Sequence, residues 1–238
     1  MDIYKILQQE INRIASTQTG QAIFLVGSAV DMEIIDLEKI KDIDIFVITP
    51  GENHFQREVL EKEGIKFDIS YLPLDLLKKG IQEKWALVIS VLAKAKLIYG
   101  ENQEIIRLVK EISNIYLSGP GPLTQEEMKY IRFKLYQDYE DILYRKSDHS
   151  IVKFLAYNLF REILVTYFKL NEKWVPKDKK ILKIIKKEEQ MLYNLCNQFL
   201  EEENTEKILQ ILLTILEYVL NPFGGVLRYW PKGKFPLI

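Results

Sequence analysis

A short apolar run that ends in a glycine and a serine, AIFLVGS over residues 22–28, decides how the first half of the chain folds. Its five consecutive apolar residues predict a buried strand. Gly27 and Ser28 then end the strand with a bare backbone and a hydroxyl group. Backbone N–H groups in such a turn, together with a hydroxyl, are typical of sites that hold phosphate oxygens.

Two further segments place carboxylates on the predicted sheet. Thirteen residues after the glycine–serine turn the chain reads Asp42-Ile43-Asp44-Ile45, at the start of a second apolar strand. Because strand side chains alternate between faces, Asp42 and Asp44 are expected on one face. A third strand over 66–72 alternates in the same way and carries Asp68 on its polar face. Three carboxylates from two strands predict a site for two Mg²⁺ ions, which suits in-line displacement at phosphorus.

The composition is that of an ordinary globular protein, and it excludes several functional classes. The 238 residues carry 33 Lys and Arg against 34 Asp and Glu, a net charge of -1. This balance argues against an extended surface for duplex nucleic acid, and we expect no such partner. The single cysteine, Cys196, excludes a disulfide within the chain and is expected to fill the core. Because His54 and His149 lie far apart in the sequence, any metal is expected to be a hard cation bound by carboxylates.

The rest of the first hundred residues predicts alternating helices and strands. Apolar residues recur at helical spacing over 3–14, which indicates an amphipathic first helix. Further helices are predicted at 54–64, 74–79 and 83–93, and a last short strand at 96–99.

Beyond residue 101 the strand pattern disappears and only helical patterns remain. The segment Ser118-Gly119-Pro120-Gly121-Pro122 is the clearest break in the chain. Thr124 and Glu127 form a capping-box pattern at the start of a helix that is predicted to reach Arg145. Three more helices are expected, at 151–170, 177–200 and 205–220.

These patterns predict an α+β chain of two domains. A small mixed-sheet domain is expected over 1–117, and an all-helical bundle with an irregular tail over 118–238. No stretch of about 18 apolar residues occurs, so we expect no membrane span. The first twenty residues carry charged and amide side chains where a secretory signal has an apolar core, so a cytoplasmic protein is expected.

The glycine–serine turn and the paired aspartates resemble the pattern of a known family. The chain reads hydrophobic-Gly-Ser, then a gap, and then Asp-hydrophobic-Asp-hydrophobic. This order is similar to the pattern of the DNA polymerase β-like nucleotidyltransferase superfamily. The resemblance implies that Asp42 and Asp44 bind the metal ions, and that Asp68 joins them and helps to deprotonate the acceptor. It also implies that Gly27 and Ser28 hold the outer phosphates of a nucleotide such as ATP.

The helical half is similar to the C-terminal domain of bacterial aminoglycoside nucleotidyltransferases and their relatives, in the stretch YFKLNEKWVPKDK over 167–179. Those proteins carry a helix, a polar turn with an aromatic residue and a proline, and then a lysine that approaches the nucleotide phosphates. The resemblance implies Lys173, Lys177 or Lys179 as the phosphate ligand. Because this region is rich in lysine, a solvated helix face is the competing interpretation.

Two classes of function follow from these residues. The first is a Mg²⁺-dependent enzyme that moves a nucleoside monophosphate from a nucleoside triphosphate to a hydroxyl acceptor and releases pyrophosphate. The acceptor is an aminoglycoside-like small molecule or a protein side chain. The second is a non-catalytic or antitoxin-like protein that binds a nucleotide or a partner on the same fold. The resemblance is compatible with a homodimer, although no residue specifies one.

Overall fold

A computed structural model describes residues 3–17, 22–30, 42–51 and 54–232 of the chain. The chain divides into two compact units, Met1–Gly119 and Pro120–Ile238. The first unit contains a mixed five-stranded sheet, and the described part of the second is helical. The α+β class expected from the sequence is therefore confirmed.

The first unit is built around the sheet. Its strands are β1 (Ala22–Val26), β2 (Asp42–Thr49), β3 (Gln56–Lys62), β4 (Ile65–Pro73) and β5 (Lys96–Tyr99). Its helices in the described residues are α1 (Ile3–Thr17), α2 (Leu74–Gln82), α3 (Ala86–Leu92) and α4 (Gln103–Ser118). The strand order is β3-β4-β2-β1-β5, in which β2 and β4 run parallel and every other neighbouring pair runs antiparallel.

One face of the sheet packs against the amphipathic helix α1. The core on this side joins the buried stripe of α1, which includes Ile11 and Ile14, to alternate residues of the central strands such as Ile43, Ile45 and Phe67. Because successive strand residues point to opposite faces, burial of these side chains turns the polar residues between them to the other face. Packing against α1 thereby determines which face of the sheet carries the carboxylates.

The segment 54–64, predicted as a helix, is instead the strand β3 with its turn, so that prediction is wrong. β3 and β4 form a hairpin closed by Glu63 and Gly64, whose φ angles are 52° and 79°. Two positive φ angles in a two-residue turn match the twist of an antiparallel pair. β3 is an edge strand whose side chains are mostly exposed, so it shows no apolar alternation. The available signal was Gly64, a turn residue directly before an alternating strand.

An ion-pair network joins α1 to this edge strand. The buried side chain of Glu10 accepts hydrogen bonds from Arg13 at 2.5 Å and from Lys62. Arg13 also donates to Glu58 at 2.7 Å, and the hydroxyl of Tyr71 donates to the same carboxylate at 2.8 Å. Burial opposes ionisation of Glu58, but these two hydrogen bonds outweigh it and lower its pKa. The network joins β3 to α1 across the face of the sheet that α1 covers.

The second unit has its own helical core. Its helices in the described residues are α5 (Gln125–Tyr144), α6 (His149–Leu170), α7 (Asp178–Glu188), α8 (Gln190–Glu201) and α9 (Thr205–Leu220). The capping box predicted at the start of α5 is confirmed, since Thr124 and Glu127 bind each other's backbone N–H groups. None of the helices in the described part of the chain combines the length and apolar character that a bilayer crossing needs.

The prediction of one helix over 177–200 is wrong, because the chain turns between α7 and α8. Glu189 adopts φ -145° and ψ 80°, which is outside the helical region. Its side chain accepts a hydrogen bond from the hydroxyl of Tyr218 at 2.9 Å, on the neighbouring helix α9. The turn lets Ile185 of α7 and Leu192 of α8 reach the same core. The residues around this point are all charged or polar, so the sequence shows no sign of the break.

The described part of the C-terminal tail packs on α5. Nε of Arg132 donates to the carbonyl oxygen of Gly225 at 2.5 Å. The Trp230 ring contacts those of Tyr130 and Phe133, with centroids 6.4 and 5.5 Å away. The tail is irregular as predicted, apart from one turn of 3-10 helix at its start, and these contacts hold it against the bundle.

Replacement of Phe67 by alanine tests the packing of α1 on the sheet. Phe67 is fully buried in that core, so Phe67→Ala is expected to lower the free energy of unfolding by about 3–5 kcal/mol. The control is Val59→Ala on the adjacent strand, where a side chain 53% exposed predicts a change of about 0.5 kcal/mol or less. Urea unfolding followed by circular dichroism measures both, and equal losses would contradict this packing.

The reactivity of the single thiol, that of Cys196, tests the packing of the second unit. Burial raises the pKa of Cys196 to about 12, and the side chain lies within the helical core. We therefore expect negligible reaction of the native chain with a disulfide reagent at pH 8. The thiol is expected to react completely in denaturant. Fast labelling of the native chain would show that α8 is not packed as described.

Candidate functional site

The predicted carboxylates lie where β1 ends and where β2 and β4 begin. In the parallel pair, Asp44 of β2 stands directly opposite Asp68 of β4. In the antiparallel pair, Val26 at the end of β1 stands opposite Asp44. The chain leaves β1 at Gly27, immediately beside Asp44. The sheet register thus brings together the turn and the carboxylates, although they are distant in sequence.

The alternation predicted for β2 is present in the structure. Asp42 is exposed and Asp44 is half-buried, whereas Ile43 and Ile45 between and after them are buried. Asp42 therefore shares the face of Asp44 at the open end of the strand. Asp68 lies on that same face and is half-buried. These positions agree with one carboxylate-bearing face at this end of the sheet.

Gly27 is in close contact with Asp44. Its φ is 75°, in the left-handed region, and it opens a short 3-10 turn that also contains the exposed Ser28. A methyl group placed on Gly27 would overlap Oδ2 of Asp44 and lie 3.2 Å from Cγ. Glycine is therefore required here both for its backbone conformation and for the approach of the carboxylate.

Arg57 is a residue of this site that the sequence analysis missed. Its Nε donates to Oδ1 of Asp68 at 2.8 Å and its Nη2 donates to Oδ2 at 2.5 Å. These hydrogen bonds, with the nearby charges of Asp68, Asp44 and Asp42, raise the pKa of Arg57. The omission followed from the wrong helix prediction, because only a strand places Arg57 beside β4.

The chemistry of the side chains fits a hard cation, but their arrangement is incomplete. Within the described ranges, no three His, Cys, Asp or Glu residues converge in a group that could hold a metal ion. Asp42 and Asp44 offer the oxygen ligands that Mg²⁺ prefers. Both oxygens of Asp68 are engaged by Arg57. Asp42, Asp44 and Asp68 therefore supply the chemistry of a cation site without the convergence of three ligands.

The lysines predicted as phosphate ligands belong to the second unit, whereas the carboxylates belong to the first. Lys173 donates to Glu188 at 2.6 Å and lies 5.7 Å from the ring centroid of Tyr167. Lys177 precedes the first residue of α7, and Lys179 is exposed on that helix. The ion pair of Lys173 gives it a structural role within the helical unit, and its predicted role remains a prediction, as do those of the other two.

A cavity of about 430 Å³ lies between α5 and α6 in the second unit. Its charged lining consists of Lys134, Arg161, Glu162 and Lys169. Lys134 bonds to Glu162 at 3.0 Å, and Arg161 binds Asp178 through two hydrogen bonds. Carboxylates of the helical unit therefore neutralise two of the three cations in the lining.

Comparison with known proteins supports the fold. No protein-family model matches the chain, and no curated protein matches it. The structure is similar to a crystal structure of a nucleotidyltransferase-like protein from Exiguobacterium sibiricum 255-15, with a TM-score of 0.52 and 15% sequence identity. The match covers 90% of this chain and 73% of that chain. Identity this low shows the fold alone, so the nucleotidyltransferase-like fold is confirmed and the aminoglycoside type is still a prediction.

Substitution of Gly27 tests the contact with Asp44. Gly27→Ala is expected to cost about 1–2 kcal/mol for the left-handed backbone, with a further 1–3 kcal/mol or so for the overlap with the carboxylate. Urea unfolding measures the loss. In an Asp44→Ala background the overlap is absent, so the second part of the loss is expected to disappear.

Two other glycines separate the cost of the left-handed backbone from the cost of the overlap with Asp44. Gly64 has a positive φ but open space where a Cβ would lie, so Gly64→Ala measures backbone strain alone. Gly51 has neither constraint, so Gly51→Ala is expected to be nearly neutral. Equal losses for Gly27→Ala and Gly64→Ala would show that Asp44 does not approach the turn.

Proposed function

We propose that this protein is a Mg²⁺-dependent nucleotidyltransferase that transfers a nucleoside monophosphate from a nucleoside triphosphate to a hydroxyl acceptor. One observation carries the proposal: Asp44 stands opposite Asp68 across parallel strands, directly beside the turn at Gly27. The nucleotidyltransferase-like fold supports the same conclusion. In this proposal Asp42 and Asp44 hold the metal ions, Asp68 joins them, and Gly27 and Ser28 contact the outer phosphates.

The proposed reaction balances with the groups that the site supplies. The acceptor oxygen forms a bond to the α-phosphorus, the bond from that phosphorus to the bridging oxygen breaks, and pyrophosphate leaves. The hydroxyl proton passes to the carboxylate of Asp68, which is within the same cluster. Bound Mg²⁺ supplies charge neutralisation for the phosphates. The exposed turn at Gly27 and Ser28 offers backbone N–H groups and a hydroxyl for orienting the triphosphate.

The acceptor in this proposal is an aminoglycoside-like small molecule or a protein side chain that carries a hydroxyl group. Lys177 and Lys179 are retained as proposed phosphate ligands, whereas Lys173 is already paired with Glu188.

A second candidate function has support from Arg57. Because the guanidinium engages both oxygens of Asp68, the chain already neutralises part of its own acidic cluster. A non-catalytic or antitoxin-like protein that binds a nucleotide or a partner would have no need to release that pair. The two candidates differ in whether pyrophosphate is produced.

A thermal-shift measurement tests nucleotide binding. Each of the four ribonucleoside triphosphates is added with and without Mg²⁺, and the matching one is expected to stabilise the protein by roughly 2.7 kcal/mol at a hundredfold excess over Kd. Asp44→Asn removes a charged ligand and is expected to abolish the Mg²⁺-dependent part of the shift. The control Glu111→Gln replaces an exposed acid on α4 in the same unit and is expected to retain the full shift.

Pyrophosphate release then separates the two candidates. Release that depends on Mg²⁺ and is lost in Asp44→Asn supports the transferase. A Mg²⁺-dependent shift without release, across small hydroxyl compounds and protein acceptors, supports the binding protein. The absence of any shift with all four nucleotides would contradict the transferase and favour a protein that binds a partner.

A further inference from the structure

The cavity between α5 and α6 is lined on the α6 side by a single face of that helix. Residues three and four apart are neighbours on a helix, so the lining residues of α6 form one stripe. They are Asn158, Arg161, Glu162, Val165, Thr166 and Lys169. The cavity volume of about 430 Å³ falls within the range of small-molecule sites, about 300–1,000 Å³.

The hydroxyl of Thr166 in this stripe has no hydrogen-bond partner among the described residues. Thr166 is only 4% exposed. A threonine in a helix commonly donates to the carbonyl oxygen four residues earlier, as Thr214 does to Gln210 at 3.0 Å. A buried hydroxyl without a partner is unfavourable, and a polar group bound in the cavity would satisfy it.

Lys169 is the cation of the lining that has no carboxylate partner in the described part of the chain. The other two cations of the lining, Lys134 and Arg161, are both bound by carboxylates. Lys169 follows Thr166 by three residues, so the two unpaired groups lie on adjacent turns of the stripe. An ammonium group and a hydroxyl group can both donate hydrogen bonds to one anionic group.

The rest of the lining favours a ligand that is more than a simple ion. The side-chain amide of Asn158, near the other end of the stripe, has no partner within the described ranges either. An amide can both donate to and accept from a hydroxyl group. Apolar side chains complete the lining, Ile131 and Leu135 from α5 and Val165 from α6. Apolar surface of this kind suits the carbon skeleton of an organic molecule.

We infer that this cavity binds a small anionic molecule that also carries hydroxyl groups. Lys169 and Thr166 donate to its anionic group, and Asn158 binds one of its hydroxyl groups. Its carbon skeleton packs on Leu135 and Val165. The site goes beyond the proposed transfer reaction, because its lining includes neither the carboxylates of the sheet nor the lysines proposed for the nucleotide phosphates.

Isothermal titration calorimetry of the full chain with four matched probes tests the inference. The probes are glucose 6-phosphate, gluconate, neutral glucose and cationic glucosamine. At least one of the two anions is expected to bind with a Kd in the millimolar range or below, and to bind roughly tenfold more tightly than glucose. The two anions distinguish a phosphate from a carboxylate. No binding of either anion, or equal affinity for glucose, would overturn the inference.

Variants of Lys169 test the charge. Lys169→Gln is expected to weaken binding of the anion by roughly tenfold, because it removes the cation that has no carboxylate partner. Lys169→Arg keeps the charge and is expected to retain most of the affinity. The control Lys153→Gln replaces an exposed lysine of the same helix outside the lining, and wild-type affinity is expected.

Variants of Thr166 test the unpaired hydroxyl. Thr166→Val replaces the hydroxyl by a methyl group of similar shape and is expected to weaken anion binding by roughly three- to tenfold. Its melting temperature without ligand is expected to be no lower than that of the wild type, because no hydrogen bond is lost. Thr166→Ser keeps the hydroxyl, so it is expected to retain anion binding and provides a second test if Thr166→Val does not fold. Unchanged anion affinity in both Lys169→Gln and Thr166→Val would overturn the inference.

Discussion

The parallel pairing of β2 with β4 is the constraint on which the functional end of the sheet depends. It places Asp44 directly opposite Asp68, on the same face. The register is held from the other face, where Ile43, Ile45 and Phe67 are buried against α1. A shift of one residue in either strand would turn its carboxylate into that apolar core, at a high cost in desolvation. The hydrophobic packing of α1 thus specifies the position of the charged groups.

Bringing like charges together across two strands is unfavourable unless a cation lies nearby. Arg57 provides that cation from the edge strand, and the pair with Asp68 offsets part of the repulsion. The opposite side of the same strand is tied to α1 through Glu58 and the buried Glu10. The edge strand therefore has an electrostatic role at the carboxylates and a structural role at the helix. β3 has few apolar residues, which is consistent with both roles.

The helical unit is stabilised independently, by a core in which the rings of Phe160 and Phe199 stack with centroids 4.4 Å apart. Several of its cationic side chains are used for internal ion pairs, including Lys134 with Glu162 and Lys173 with Glu188. A lysine-rich sequence therefore does not by itself indicate a phosphate site. The first unit differs, because there the sheet holds three acids close together and one arginine lies among them.

The sequence by itself determined the α+β class, the strand that ends before Gly27, and the alternation that puts Asp42 and Asp44 on one face. These features follow from local periodicity, which depends on residues close together in the chain. Only the tertiary structure decided that segment 54–64 is a strand and that Arg57 pairs with Asp68. An exposed edge strand carries little apolar periodicity, and its conformation is set by hydrogen bonds to β4 and by ion pairs to α1. Such contacts join residues far apart in the chain, so no local pattern reports them.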